Sequence, residues 1–522
     1  MAKFINSSES ITSSMLLWND VPTQVSIQET YDIKVWPITN ILNEGSINFQ
    51  IPSQPKGLMT DVFIITKLKI LENGQEMSTR QDSLSVVNNF ANSIWGQVDI
   101  QIDDRVDITQ SMKNAYAYQT FFNHALNSES NRKDYLYYNE FFKMDEGETK
   151  IKEESSRFFW KWNEAIESEL KSVMLETNDD STKETHLQSI KAKLKDSNLS
   201  DVYEMRREVE LIIGTSVSET DRDKISDILT RARIPTGHND AASDRSRFIN
   251  NGESVTLSSK LQCPLFNTSK CLPSNMKIRM SLTKNNDEFV MLAKDISKFS
   301  IFIEDCYLNV TYYRPRDAIL DLIETRIQKE PAPYFVSRPE IIIKPITNAG
   351  RVIRISDVFH DTLPAYAFFC LQRSKDFDGS FKTNPYTFIP FQKFQFYLNG
   401  SPYFMDPLEV STIKKLGNGH YLYKDFGDYM RQLYKTIGKD LKGDCLINST
   451  NFQLNFMVGM SFGADRSSLS ERHLNLQEKA STYLEIDMGI NESIPADMIL
   501  IIYAVYDRQI QIDGNRKIRI IE

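Results

Sequence analysis

The sequence has little cysteine, and none of it at working spacing. The 5 cysteines (Cys263, Cys271, Cys306, Cys370, Cys445) are odd in number and include no C-x-x-C pair. A disulfide framework is not indicated, and each thiol reads as a small buried apolar residue of a reducing compartment. Metal ligands are equally sparse. The 6 histidines (His124, His186, His238, His360, His420, His473) show no H-x-x-H or H-E-x-x-H spacing, and Cys263 and Cys271 have no histidine partner nearby. No zinc site is expected. Long apolar runs are missing: the longest, Met498–Val505, falls far short of the roughly 20 residues that span a bilayer. The first ten residues, MAKFINSSES, are polar, so no secretory leader is expected. The N-x-S/T matches at Asn6, Asn267, Asn309, Asn448 and Asn491 then read as unmodified. Basic charge is not in excess either. A net charge of −9 and a pI near 5.5 argue against a broad nucleic-acid footprint.

Catalytic signals are as thin. Gly459-Met460-Ser461-Phe462-Gly463 fits G-x-S-x-G, the nucleophile elbow of hydrolases, and it follows a strand. The elbow requires a helix next, whereas Ala464–Glu471 opens polar and serine-rich, and only His473 could complete a triad. Ser461 therefore reads as structural. Leu416-Gly417-Asn418-Gly419 precedes no phosphate-binding lysine and reads as a helix entry. His124 falls off the apolar stripe of its helix and reads as a surface or rim residue. Arg314, Arg316, Arg326 and Lys329 read as a solvated helix face. No carboxylate pair is marked as acid and base. No catalytic, cofactor-binding or metal-binding residue is assigned, and no interface residue can be named.

What the chain does contain is a pattern that occurs twice. In Phe394–Tyr403, FQFYLNGSPY, apolar and polar residues alternate as in a strand. Asn399-Gly400 then supplies a turn, because both residues tolerate positive φ. A helix is predicted over Tyr421–Ile437, with Phe426, Met430, Leu433 and Ile437 on one stripe. Earlier, Gln97–Asp107 repeats the alternation around Asp103-Asp104. A helix is predicted next over Ser111–Leu126, with Ala115, Tyr118, Phe122 and Leu126 aligned. The strands begin at 97 and 394, an offset of 297, and the helices at 111 and 421, an offset of 310. A near-constant offset is the trace of a duplicated unit.

The rest of the chain fits that plan. At 522 residues it exceeds a usual single domain, and 30 Phe and 22 Tyr suit strand-rich cores. Residues 1–20 read as a flexible arm, with Leu16, Leu17 and Trp18 as possible anchors. Strands are predicted at Val25–Pro37, Ser46–Ile51, Asp61–Leu71, Glu253–Cys263, Met276–Thr283 and Phe299–Tyr313. From Tyr135 to Arg233 the spacing turns helical, as in Phe159, Trp162, Ile166, Leu170 and Val173. Pro235–Gly252 reads as a polar loop. Pro315–Lys329 is predicted as a linker helix that stops before Pro331. The second half offers Tyr334–Thr347, Arg351–Ser356, Ala365–Gln372, Phe452–Met460, Thr482–Met488, Met498–Tyr506, and a closing hairpin that turns at Asp513-Gly514. Many evenly spaced strands indicate two sandwiches. The expected division is an arm over 1–20, a first sandwich over 21–314 with a helical insertion over about 135–245, a linker over 315–331, and a second sandwich over 332–522.

Four segments carry a resemblance. WGQVDIQIDDRVDITQSMKNAYAYQTFFNHALN, LLWNDVPTQVSIQETYDIKVWPI and FDGSFKTNPYTFIPFQKFQFYLNGSPY resemble parts of the major capsid proteins of Polinton/Maverick elements and adintoviruses. SSKLQCPLFNTSKCLPSNMKIRMSLTKNND resembles a strand-loop-strand segment late in their first jelly roll. The insertion has no counterpart. The resemblance implies a mainly β protein of two tandem eight-stranded jelly rolls, a double jelly roll, with the insertion in the first. It further implies a homotrimeric pseudo-hexagonal capsomer that tiles an icosahedral shell around double-stranded DNA. Neighbouring capsomers, penton and minor capsid proteins would be its partners, and the virion its location after synthesis in the host cytoplasm or nucleus. No enzymatic activity, cofactor, membrane span or sequence-specific nucleic-acid binding is implied. The alternatives are a virophage-type capsid protein, a penton protein, and a duplicated β-sandwich glycan-binding protein.

Overall fold

The structure is a computed structural model. It describes residues 24–39, 41, 45–77, 84–102, 106–107, 112–128, 132–145, 158–160, 164–173, 180–194, 202–213, 222–225, 228–229, 233–235, 240–249, 251–293, 298–346, 350–359, 362–379, 384–415, 421–424, 426–438, 445–448, 451–452, 454–463, 478–489 and 497–521.

The first half contributes eight principal strands: β1 (Ile27–Val35), β2 (Ser46–Ile51), β3 (Leu58–Glu72), β4 (Trp95–Ile102), β5 (Val106–Asp107), β6 (Val255–Lys260), β7 (Ile278–Lys284) and β8 (Phe299–Pro315). They form two antiparallel sheets, in the orders β1-β8-β3-β6 and β2-β7-β4-β5. The second half contributes β9 (Ala332–Ile346), β10 (Val352–Ser356), β11 (Tyr366–Arg373), β12 (Lys393–Leu398), β13 (Ser401–Pro402), β14 (Val458–Ser461), β15 (Thr482–Asp487) and β16 (Met498–Ile512). Its sheets run β9-β16-β11-β14 and β10-β15-β12-β13. Each order in the second half is the first-half order shifted by eight strands. The chain is a double jelly roll, and the duplication read from spacing is a duplication of topology.

Local chemistry explains the strands. In β3, Val62, Ile64, Leu68 and Ile70 point into the core while Lys67 points out. β8 alternates likewise, with bulges between Ile303 and Asp305 and between Thr311 and Tyr312. At the β12–β13 turn, Asn399 has φ 50 and Gly400 φ 80, the doubly left-handed turn that matches strand twist. β16 behaves differently. Met498–Tyr506 is buried at every residue, because both faces of that half are covered.

The outer cover is a helix of the first half. Helix α1 (Ala115–Asn127) follows β5, and 10 of its residues are buried, leaving Gln119, Asn123 and Asn127 along one edge partly or fully exposed. One side meets the second jelly roll: Phe122 stacks on Tyr503 at 5.0 Å and on Phe388 at 5.7 Å, and Phe121 stacks on Tyr386 at 4.3 Å. Tyr118 Oη donates to Pro385 O and Gln372 Oε1, both at 3.0 Å, and Asn114 Nδ2 donates to Phe377 O at 3.1 Å. One continuous hydrophobic cluster consequently runs through both halves.

Among the described residues the longer helices also include α2 (Lys133–Glu140), α3 (Glu164–Val173), α4 (Asp180–Leu194), α5 (Val202–Ile213), α6 (Asp240–Ile249), α7 (Asp317–Lys329) and α8 (Phe426–Thr436). The insertion has its own small core, in which Leu170, Leu187, Ile190, Met205 and Val209 pack together. The side chains of Phe159, Trp162 and Ile166 lie outside the described residues, as do Leu16, Leu17 and Trp18.

Four expectations need correction. Phe158–Trp160 is a short strand paired with Arg233–Pro235, so Phe159 is not helical. Tyr421–Lys424 is also a strand, paired with Ser411–Lys415, and the helix begins only at Phe426. β-Branched and aromatic content there favours the hairpin over an early helix start. The strand placed over Phe452–Met460 is confined to Val458–Ser461, because Phe452 packs in a turn against Tyr429 at 4.5 Å. The polar loop placed over Pro235–Gly252 contains α6, whose Arg245 and Ser246 face inward.

Truncating α1 should cost both halves at once. Phe121→Ala is expected to lower unfolding free energy by about 3–5 kcal/mol, the usual loss for a buried phenylalanine. Denaturant titration checks it, and a loss below about 1 kcal/mol would mean that α1 does not join the halves.

Candidate functional site

Ser461 is the one sequence-derived catalytic candidate. It ends β14, paired with Tyr366 of β11, and is 2% exposed. Among the described residues its Oγ has no hydrogen-bond partner, and its carbonyl accepts from Tyr403 Oη at 2.7 Å. The adjoining cavity of about 30 Å³ is too small for any ester. Gly459 has a packing reason: a Cβ there would lie 2.7 Å from the Phe368 ring and 2.9 Å from Thr436 Cβ. A nucleophile must be presented to substrate, and this hydroxyl is sealed within a sheet. His473 lies outside the described residues.

The remaining candidates disperse. Among the described residues no group of three His, Cys, Asp or Glu side chains could hold a metal. Cys263, Cys306 and Cys370 are buried free thiols, and burial pushes Cys263 up to about 11 and Cys306 up to about 12. Cys271 and Cys445 are only partly buried, a correction to the uniform reading. Arg314 reaches Glu29 at 3.6 Å, and Arg316, Arg326 and Lys329 are exposed along α7. His238, His360 and His420, and the 416–419 glycine segment, lie outside the described residues. No described helix is long and apolar enough to cross a membrane.

What the fold does bring together is polar chemistry at the joint between the jelly rolls. Arg245 of α6 is fully buried, and Asp145 is 3% exposed. Arg245 Nη2 donates to Asp145 Oδ1 at 2.8 Å, Nε to Val86 O at 2.9 Å, and Nη1 to Lys143 O at 3.1 Å. The other Asp145 oxygen accepts from Asn384 Nδ2 of the second jelly roll. A buried ion pair persists only when its remaining groups are satisfied, and these are. Beside it, His124 Nε2 lies 2.8 Å from Glu140 Oε2, a close contact without hydrogen-bond alignment. Asn92 Nδ2 donates to the same carboxylate oxygen at 2.7 Å. His124 is 6% exposed, not a rim residue. The reading from one stripe failed because α1 is buried on more than its apolar stripe, with Glu140 and Phe142 covering His124. Spacing gave no signal for Arg245, Asp145 or Glu140, since their partners are distant in sequence.

A second polar contact closes the joint at the C-terminal turn. Arg516, with φ 64, sends Nη2 to both Glu324 oxygens at 2.7 and 2.6 Å, and its Nε donates to Ser274 O at 2.7 Å. Ser274 Oγ donates to Glu324 Oε1 at 2.6 Å. This clasp ties α7, the turn after β16 and the loop before β7. Burial pushes the Glu324 carboxyl up, while the Ser274 hydroxyl and Arg516 guanidinium pull it down further, leaving it below its usual 4.5.

Two outcomes follow from this geometry. Ser461→Ala is expected to leave the fold intact and to be neutral or stabilising by about 1 kcal/mol, since it removes an unpaired buried hydroxyl. A fluorophosphonate should not label wild-type Ser461, and stoichiometric labelling would contradict a structural role. For Glu324, a depressed folded pKa contributes stability that is complete above the unfolded value and lost as pH falls through the folded one. Wild type should therefore lose stability from about pH 4.5 downward, and Glu324→Gln should flatten that limb of the melting-temperature profile. An unchanged acid limb would show that the clasp is energetically idle.

No protein-family model matches this chain, and no curated protein matches it. Solved structures do. A chain from the Sputnik virophage particle structure is similar over 99% of this chain and 93% of its own length, at 10% identity and a TM-score of 0.53. The Faustovirus major capsid protein is similar over 95% of this chain and 92% of its own, at 8% identity and a TM-score of 0.52. The likeness extends over both jelly rolls and their joint, and it establishes the double jelly-roll fold for this chain.

Proposed function

We propose that this chain is the major capsid protein of a double-stranded DNA virus or virus-like element, a structural protein without enzymatic activity. The observation that carries the reading is that the whole double jelly roll, joint included, is similar to chains from virus particles. Three copies form a pseudo-hexagonal capsomer, since two similar sandwiches per subunit give six per trimer. Capsomers tile an icosahedral shell, with penton and minor capsid proteins as further partners, and the virion is where the protein resides. The ordered segment resemblance favours the Polinton/Maverick and adintovirus kind. The functional division is an arm over 1–20, a first jelly roll over 21–314, a linker over 315–331 and a second jelly roll over 332–522. The arm contacts the shell interior or a neighbour. The insertion, about 135–245, projects outward as a helical tower, a role favoured by its separate core. Sealed Ser461 and dispersed histidines support the absence of catalysis.

Purified protein is expected to scatter light as a trimer and to show a hexagonal outline in negative stain. An obligate interface of this kind buries more than about 2,000 Å², so a folded monomer at micromolar concentration would overturn the proposal.

A further inference from the structure

Beside α1, where the two jelly rolls meet, lies a cleft of about 280 Å³. It is lined by Tyr366 of β11 and Tyr503 of β16, which are 6% and 4% exposed. Neither hydroxyl has a hydrogen-bond partner among the described residues. Burial pushes both phenols up, so each keeps its proton and can both donate and accept. The rings are fixed in advance: Tyr503 stacks on Phe122 at 5.0 Å, and Tyr366 meets Phe368 edge-on at 5.9 Å.

The rest of the lining is a chain of side-chain amides. Asn123 Nδ2 donates to Gln262 Oε1 at 2.7 Å, Asn267 Nδ2 to the same oxygen at 3.1 Å, and Asn127 Nδ2 to Asn123 Oδ1 at 2.8 Å. Each amide holds its neighbour in place, and three of the four keep one group unspent. Gln262 Nε2 and the side-chain oxygens of Asn127 and Asn267 have no partner among the described residues. Phe335 adds an aromatic ring that is 51% exposed. Among the described residues no Asp, Glu, Lys, Arg or His lines the cleft, although 25% of the chain is charged. Lys270, over the Phe335 ring at 5.5 Å, is tied to Pro333 O at 2.7 Å.

We infer that this cleft binds a neutral carbohydrate, one hexose unit deep. Sugar hydroxyls donate and accept at once, and fixed amides and phenols supply both functions, while an exposed aromatic ring suits the C–H face of a pyranose. A charge-free wall leaves phosphate, sulfate and carboxylate without a counter-ion, so sialylated and phosphorylated sugars are disfavoured. The volume is near the lower end of small-ligand sites, about 300–1,000 Å³. The inference rests on the cleft and not on the capsid reading, and its test is separate from the oligomeric state.

Saturation-transfer NMR on the full chain would use methyl glycosides of glucose, galactose, mannose and N-acetylglucosamine, with sialic acid and glucose 6-phosphate beside them. At least one neutral glycoside should give a saturable signal. Tyr366→Phe with Tyr503→Phe, which keeps the rings, should weaken it about tenfold, the loss of roughly two hydrogen bonds. Asn127→Ala, at the exposed rim, should weaken it without touching the core. Silence from every neutral glycoside, tighter binding of the charged sugars, or unchanged binding by the phenylalanine variants would each overturn the inference. So would hydroxyl-radical footprinting that finds Phe335 covered by a second copy in the oligomer.

Discussion

The structure depends on one constraint: α1 must be core for two sandwiches at once. A helix that serves one sandwich needs one apolar stripe. α1 presents Phe122 to β16, Phe121 to Tyr386 and Tyr118 to Gln372, while Ala115, Tyr116, His124 and Leu126 are also buried and only its Gln119-Asn123-Asn127 edge is not. Aromatic rings suit this position, because each buries a large area and stacks with defined geometry. The consequence reaches β16, whose Met498–Tyr506 half is buried on both faces because α1 and its surroundings cover the outer one. The two jelly rolls are therefore one packed body rather than two beads on a linker.

Polar groups then fix how that body is assembled. Hydrophobic burial is non-directional and permits small rotations of one sandwich on the other. Arg245, Asp145 and Asn384, and separately Arg516, Glu324 and Ser274, are directional, and each set draws on segments far apart in the chain. A rotated joint leaves a buried charge without its partner, which is costly. The clasp at Glu324 is the more exposed of the two sets, and its partners hold the Glu324 carboxyl below its usual range. On the proposed reading as a capsid protein, a rigid subunit whose orientation is set internally would keep the spacing of its outer contacts constant from copy to copy.

How much of this was legible depended on sequence distance. The Asn399-Gly400 turn was readable because its backbone demand is met by two adjacent residues. β3, β8 and β15 were readable because alternation is a local pattern. The duplication was readable because strand, turn and helix recur in order. The apolar stripe of α1 was visible, but His124 was misplaced, since the element that buries it, with Glu140, lies on another helix. Arg245 sat in a segment whose polarity resembled a loop, and nothing nearby announces that Asp145 awaits it 100 residues away. The carbohydrate-like cleft was invisible for the same reason: Tyr366, Tyr503 and Gln262 meet only after both sheets form.

Native-state hydrogen exchange tests the central claim most directly. If α1 is shared core, its amides from Tyr118 to Leu126 open only with global unfolding. They should then exchange as slowly as those of central strands β3 and β16, and with the same denaturant dependence. Exchange of α1 by a local opening, orders of magnitude faster than those strands, would mean that the jelly rolls fold around it separately and that the joint does not unite them.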